Sequence, residues 1–159
     1  MKTLILGMGN PILGDDGVGL HIAHALEGVF PDAAVVTTTM IDLQLLEILT
    51  DFDRVFIVDA LLGSADDIGT VKKLTAEQGT LHLFSSHGLH FFELLKLGRE
   101  LQYRLPEIGG IYGIVIGDEC SFGTALSPEI LMKRKAIIRE VTTDIRKHGI
   151  ENHVPCDSL

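Results

Sequence analysis

The sequence is short of cysteine, of basic residues and of long apolar runs, and each shortage excludes a class of protein. Only two cysteines occur in 159 residues, Cys120 and Cys156. They form neither a CxxC pair nor a zinc-ligand spacing, and two cysteines make no disulfide framework, so a reducing, cytoplasmic setting is expected. Thirteen Lys plus Arg stand against 22 Asp plus Glu, a formal net charge of −9. Phosphate backbones and anionic lipid surfaces are held by basic contacts, so no nucleic-acid partner is expected. A cation, or a partner with a basic patch, suits this balance better. Mean hydropathy is positive, +0.31. Yet the most apolar runs, residues 3–14 and 108–117, are too short to span a bilayer and are broken by Gly, Asn or Pro, so membrane insertion is not expected. The apolar stretch after Met1-Lys2-Thr3 ends at Gly7, and Asp15-Asp16 arrives before a signal-peptide pattern is complete. There is no internal repeat and no linker-like segment.

What is present is the material of one packed domain. Hydrophobic residues make up 46% and charged residues 22%, enough for a core without metal or disulfide staples. Strand and helix patterns alternate. Residues 3–6 form a short apolar run closed by Gly7, and a helical pattern over 16–26 puts Val18, Ile22 and Leu26 on one face. Residues 33–38 are β-branched; Leu43, Leu46 and Leu49 suggest a short helix with Asp42 as N-cap. Residues 54–58 read as a central strand running into Asp59, and residues 70–74 as an edge strand marked by Lys72-Lys73. A long helix is expected from His87 to about residue 105, with Phe91, Leu94, Leu95 and Leu101 in its stripe, followed by a buried strand over 111–116. Ser127-Pro128-Glu129 supplies an N-cap, a proline at the first helical position and an acid in the first turn. The helix it opens ends at Arg146-Lys147-His148-Gly149, and its Lys133-Arg134-Lys135 reads as a solvated face, with an acidic partner as the alternative. The expected fold is a three-layer α/β/α sandwich around a five-stranded, mainly parallel mixed sheet. It forms a single domain over residues 1–150 with a polar, loosely held tail over 151–159. Such sheets bind ligands beyond the carboxyl ends of their strands, at the topological switch point. Right-handed crossovers put the strand ends near Gly7 and Asp59 together there.

Three groups of residues fall at those ends. Gly7-Met8-Gly9 follows a strand, but a dinucleotide fingerprint needs a third glycine where Ile12 stands, and Asp15-Asp16 would repel a pyrophosphate. The two acids read either as caps of the next helix or as a site. Asp59 reads either as the cap of the turn Ala60–Gly63 or as a rim carboxylate. His87, in the first turn of its helix, suits ligation as a neutral imidazole, and His90 lies three residues on. His21, His24 and His82 read as ordinary histidines. Two carboxylates and an imidazole from separate strand ends make a mixed O,O,N set with open positions, suited to zinc, nickel or manganese. No GxSxG elbow exists, Ser85, Ser86 and Ser121 lack a base, and the acids beside Cys120 would raise its thiol pKa. No side chain stands out as a nucleophile.

Gly7-x-Gly9-Asn10, then Gly14-Asp15-Asp16-Gly17-x-Gly19, Val58-Asp59-Ala60, Ser86-His87 and Leu126-Ser127-Pro128-Glu129 together resemble the nickel–iron hydrogenase maturation protease family, in order across residues 1–148. The resemblance implies a five-stranded mixed sheet with one antiparallel strand. It also implies an aspartyl endopeptidase activity that removes the C-terminal extension of a hydrogenase large-subunit precursor. Nickel already placed in that substrate would serve as the recognition element, and other divalent metals would compete for the same ligands. Carried over by position, the catalytic and metal-binding residues are Asp16, Asp59 and His87. Some members carry Glu at the position of Asp16, and many have an acidic, glycine-rich turn where this chain has Thr37-Thr38-Thr39-Met40-Ile41. That segment is expected to shape substrate access. Two other readings use the same residues: a metal-dependent small-molecule hydrolase, and a non-catalytic metal-binding assembly module.

Overall fold

The first strand, β1 (Thr3–Met8), has no solvent-exposed residue, which fits a strand covered on both faces. The computed structural model describes residues 1–74, 86–117 and 122–148, with the backbone alone at 86–89. After β1 come a 3-10 turn (Gly14–Gly17), α1 (Val18–Glu27), β2 (Ala33–Thr38) and α2 (Leu43–Thr50). They are followed by β3 (Arg54–Leu62), β4 (Val71–Leu74), α3 (Ser86–Glu100), β5 (Glu107–Ile116) and α4 (Pro128–Lys147). The five strands form one sheet in the order β2-β1-β3-β5-β4. Four are parallel, and β4 runs antiparallel on the edge beside β5.

Strand alternation divides the core into two layers. Ile5, Phe56, Val58, Tyr112 and Ile114 meet α1 and α4 through Ile22, Leu26, Ile137 and Val141. Leu4, Leu6, Val55 and Ile57 face the other way, against Leu46 and Leu49 of α2 and Phe91 and Leu95 of α3. The chain leaves β1 toward β2 through α1 on one face. It returns from β2 to β3 through α2 on the opposite face. The connections therefore diverge between β1 and β3, and the switch point lies there. α4 begins at the carboxyl rim, where Ser127 meets the turn after β1, and α3 runs back toward the amino ends of β3 and β5, where Arg104 pairs with Asp53, so it too begins toward that rim.

Sequence and structure differ at several boundaries. β3 does not stop before Asp59 but continues to Leu62, because Asp59 through Leu62 pair with Gly113 through Ile116 of β5. α3 stops at Glu100, short of residue 105. Gln102 takes a left-handed φ of 61°, and the Tyr103 amide donates back to the Gly98 carbonyl at 2.9 Å, closing the helix. Leu101 is consequently exposed rather than part of the buried stripe, and Leu43 is exposed where Leu45 is buried. The caps are as expected: Asp42 accepts from the Gln44 and Leu45 amides, and Ser127 Oγ from Ile130. Gly149 and the tail over 151–159 lie outside the described residues.

Candidate active site

Two buried carboxylates lie at the switch point, Asp16 in the 3-10 turn that follows β1 and Asp59 on β3. β1 pairs with β3 only as far as Gly7 opposite Val58. Asp59 is the next residue of β3, so on that side it has no strand beside it. The start of α1 occupies the vacated position, and Gly19 makes this possible. A Cβ there would lie 2.2 Å from the Met8 carbonyl oxygen, 2.6 Å from that of Val58 and 3.1 Å from the Asp59 Cα. The approach of a helix backbone to two strand backbones is open only to glycine. The loop before it is equally tight. Gly9 has φ 149°, and its Cβ would lie 2.2 Å from the Asp16 carbonyl oxygen.

Asp16 sits in the 3-10 turn at 7% exposure, with Oδ2 accepting from the Asn10 amide at 2.9 Å. Asp59 is fully buried, with Oδ1 accepting from the Ala60 amide at 2.8 Å. Neither acid of the pair caps α1. The N-cap position is Gly17, with no side-chain bond, and Asp15 reaches across the chain to accept from the Ser127 amide at 2.7 Å. A bridge between Leu13 and Gly123 runs alongside, with the Gly14 amide donating to the Gly123 carbonyl at 2.8 Å. The capping alternative for the two acids is thus displaced: Asp15 clamps the turn and Asp16 turns inward.

Asp59 follows the parity of Val55 and Ile57, so it belongs to the face covered by α2 and α3. The backbone of His87 stands in the first turn of α3, at the carboxyl rim of that face. Its side chain lies outside the described residues, as do Ser85, His82, Cys120, Ser121 and Cys156. Among the described residues no group of three or more His, Cys, Asp and Glu could hold a metal ion. Asp16 and Asp59 are two buried carboxylates in this part of the chain, and a complete metal site would need a further donor. His90 is exposed. His21 is half-buried on α1, and burial, then Arg134 and His24, lower its pKa and favour the neutral ring.

A groove of about 330 Å³ opens beside the turn, lined by Leu20, one helical turn from Asp16, and by Thr37, Thr38, Met40, Gln44 and Ile48. Met40 is 65% exposed on its rim. The groove occupies the segment singled out in the sequence after the second strand. The Asp15 clamp was not anticipated. Its sequence signal is two adjacent acids, one of which has no helix to cap.

A family model described as hydrogenase maturation protease matches residues 20–144. The chain belongs to that family. It is a peptidase by that membership, and the match takes in Asp59 and His87 and begins four residues after Asp16. Among curated proteins, the hydrogenase 2 maturation protease of Escherichia coli is 26% identical over 160 residues, covering 95% of this chain and 94% of that protein. The fold is shared with the hydrogenase maturating endopeptidase HybD from E. coli. The TM-score is 0.76 and the identity 23%, with 94% of each chain covered. It is shared too with the [NiFe] hydrogenase maturation protease HybD from Thermococcus kodakarensis, at TM-score 0.73 and 26% identity over 90% of this chain and 98% of that one. Among the described residues no helix is long and apolar enough to cross a membrane.

Proposed function

We propose that this family member removes the C-terminal extension of a nickel–iron hydrogenase large-subunit precursor, and that Asp16, Asp59 and His87 bind the nickel carried by that substrate. The observation that carries the reading is the convergence of two buried carboxylates, Asp16 and Asp59, at the switch point of a maturation-protease fold. Backbone amides hold both carboxylates, Asn10 on Asp16 and Ala60 on Asp59, and carboxylate oxygens suit a divalent cation. Nickel on the substrate supplies the cation, and the protein supplies two oxygen donors and an imidazole with positions left for the substrate's own ligands.

Binding of this kind does two things. It fixes the scissile bond relative to the protein, converting recognition into positioning. It also places a Lewis acid where a peptide carbonyl or a bound water can be polarised. The groove at the end of β2 gives an extended peptide a course toward Asp16, along a wall of threonines with Asp42 as its one acid. The precursor is the partner, and the cytoplasm is the setting.

The decisive experiment incubates the chain with candidate precursor, with and without nickel, and reads intact mass. The expected result is loss of the C-terminal extension only from nickel-loaded precursor, abolished in Asp16→Asn and His87→Ala chains that remain folded. Full processing by the His87→Ala chain overturns the assignment. Stoichiometric metal in the isolated chain would point to a small-molecule hydrolase, and association without a change in mass to an assembly module.

A further inference from the structure

The chain carries a net charge of −9, yet its cations are not dispersed. β4 and α4 together hold Lys72, Lys73, Lys133, Arg134, Lys135, Arg139, Arg146 and Lys147, eight of the thirteen Lys and Arg, with only three of the 22 acids. Everything else is strongly acidic. At about 100° per residue, Lys135 and Arg139 fall on the arc of α4 opposite buried Ile130, Ile137 and Val141, and Lys147 stands at the flank of that arc. Met132, 79% exposed, lies on the same arc. Among the described residues none of these three cations has an ion pair or side-chain hydrogen bond. Lys73, by contrast, is neutralised by Asp144 at 2.7 Å. Arg139 and Lys147 border a groove of about 470 Å³ between α4 and the β4–β5 edge, which Glu140 and the Lys73–Asp144 pair also line.

We propose that this face of α4 docks an acidic surface of the protein substrate, away from the site of cleavage. The inference rests on the proposed function for the identity of that partner. Unpaired cations concentrated on one face of an acidic molecule steer and orient an oppositely charged protein surface. The exposed Met132, and the groove that Arg139 and Lys147 border, offer apolar contact and relief that a featureless charged face would lack. A duplex or a lipid surface fits less well. Each presents charge over a wide area and would meet the acidic remainder of the chain, whereas one helix matches a compact acidic patch. The position suits a substrate body. α4 begins at Ser127, clamped to Asp15 beside Asp16, and its twenty residues run about 30 Å from the rim. A folded precursor with its end at Asp16 would lie along it.

The test reverses the three free cations together, Lys135→Glu, Arg139→Glu and Lys147→Glu, with Lys96→Glu and Arg99→Glu on α3 as a control. Thermal melting checks the fold, and the glutamine triple variant replaces the glutamate one if reversal unfolds the chain. Affinity for nickel-loaded precursor is read by titration, and KM and kcat by intact mass. Expected are a rise of about tenfold or more in Kd and KM, an unchanged kcat, and a flattened dependence on salt, none of it in the control. Unchanged Kd and KM overturn the docking inference alone. Wild-type chain that binds precursor but does not process it overturns the endopeptidase reading alone, and failure to bind overturns both. Binding of wild-type chain to phosphatidylserine-containing vesicles or to a DNA duplex at ~0.15 M salt, lost in the triple variant, assigns the face to a polyanion and overturns the proposal.

Discussion

The Asp15 carboxylate accepts the Ser127 amide at 2.7 Å and thereby joins the turn that carries Asp16 to the N-cap of α4. Ser127 in turn accepts the Ile130 amide through its hydroxyl, so one residue closes the helix and receives the clamp. Adjacent acids of the same chemistry have separate tasks here. One holds a loop in place, and the other is held by that loop, its carboxylate against the Asn10 amide.

Removing the clamp should therefore cost both stability and function. Hydrogen bonds to a charged acceptor contribute about 1.5–3 kcal/mol. Asp15→Ala is expected to lower the unfolding free energy by roughly that amount, and Asp15→Asn, which keeps an acceptor oxygen, by less. Precursor processing should fall in the same order, alanine below asparagine. Urea melts and timed intact-mass measurements check both. Normal processing by a destabilised alanine variant would show that the clamp does not position Asp16.

Asp59→Asn separates charge from shape. The amide oxygen can still accept from Ala60, so unfolding should remain cooperative. The negative charge proposed to bind nickel is gone, and processing of nickel-loaded precursor should fall at least about 100-fold, the scale of misplacing a reacting group. Near-wild-type rates in this variant would remove Asp59 from the ligand set.

Much of the fold was legible because apolar patterning and capping residues act locally. Ser127-Pro128-Glu129 and Asp42 start their helices as their chemistry dictates, and the run 55–58 is a fully buried strand. What was not legible depends on partners distant in sequence. That β3 continues past Asp59 is decided by β5, fifty residues on. The end of α3 is decided by a left-handed residue, Gln102, which carries no glycine signal. Asp16 and Asp59 could be singled out because both follow strand patterns. That Asp15 belongs to α4 could not, since Ser127 lies 112 residues away.

Gly19 tests whether the close approach of α1 is needed for the site. The atoms within reach of a new Cβ, the Met8 and Val58 carbonyl oxygens and the Asp59 Cα, are all backbone and cannot swing aside. Gly19→Ala should cost about 1–3 kcal/mol or more, the usual range for overpacking. It should also push the Asp16 turn away from Asp59. Gly28 is the control. It has φ −75° and nothing within 4 Å, so Gly28→Ala should be neutral or stabilise by up to about 1 kcal/mol. Denaturant midpoints and processing rates for the pair distinguish loss of fold from loss of geometry. A Gly19→Ala chain that is folded and inactive would tie the site to this contact.

The edge of the sheet carries a pH dependence whose two limbs have opposite signs. The buried Tyr112 hydroxyl donates to Asp144 Oδ2 at 2.9 Å, and Lys73 lies 2.7 Å from the same oxygen. Burial works against the Asp144 charge, but the Lys73 and Tyr112 hydrogen bonds outweigh it and hold the carboxyl below its usual range. A group with a depressed folded pKa stabilises the fold above its unfolded value. That contribution is lost as pH falls through the folded one, so the Asp144 share disappears in acid, below about 4. Burial, then Asp144, pushes the Tyr112 phenol up. A raised folded pKa stabilises below the unfolded value, and the Tyr112 share is lost as pH rises above about 10. Tyr112→Phe should reduce neutral-pH stability by about 1 kcal/mol. It should also weaken the acid limb, since Asp144 keeps only Lys73 and, at 3.5 Å, His148, and flatten the alkaline limb. Urea unfolding across the pH range reads all three changes. An alkaline limb of undiminished slope in Tyr112→Phe would assign it to another group.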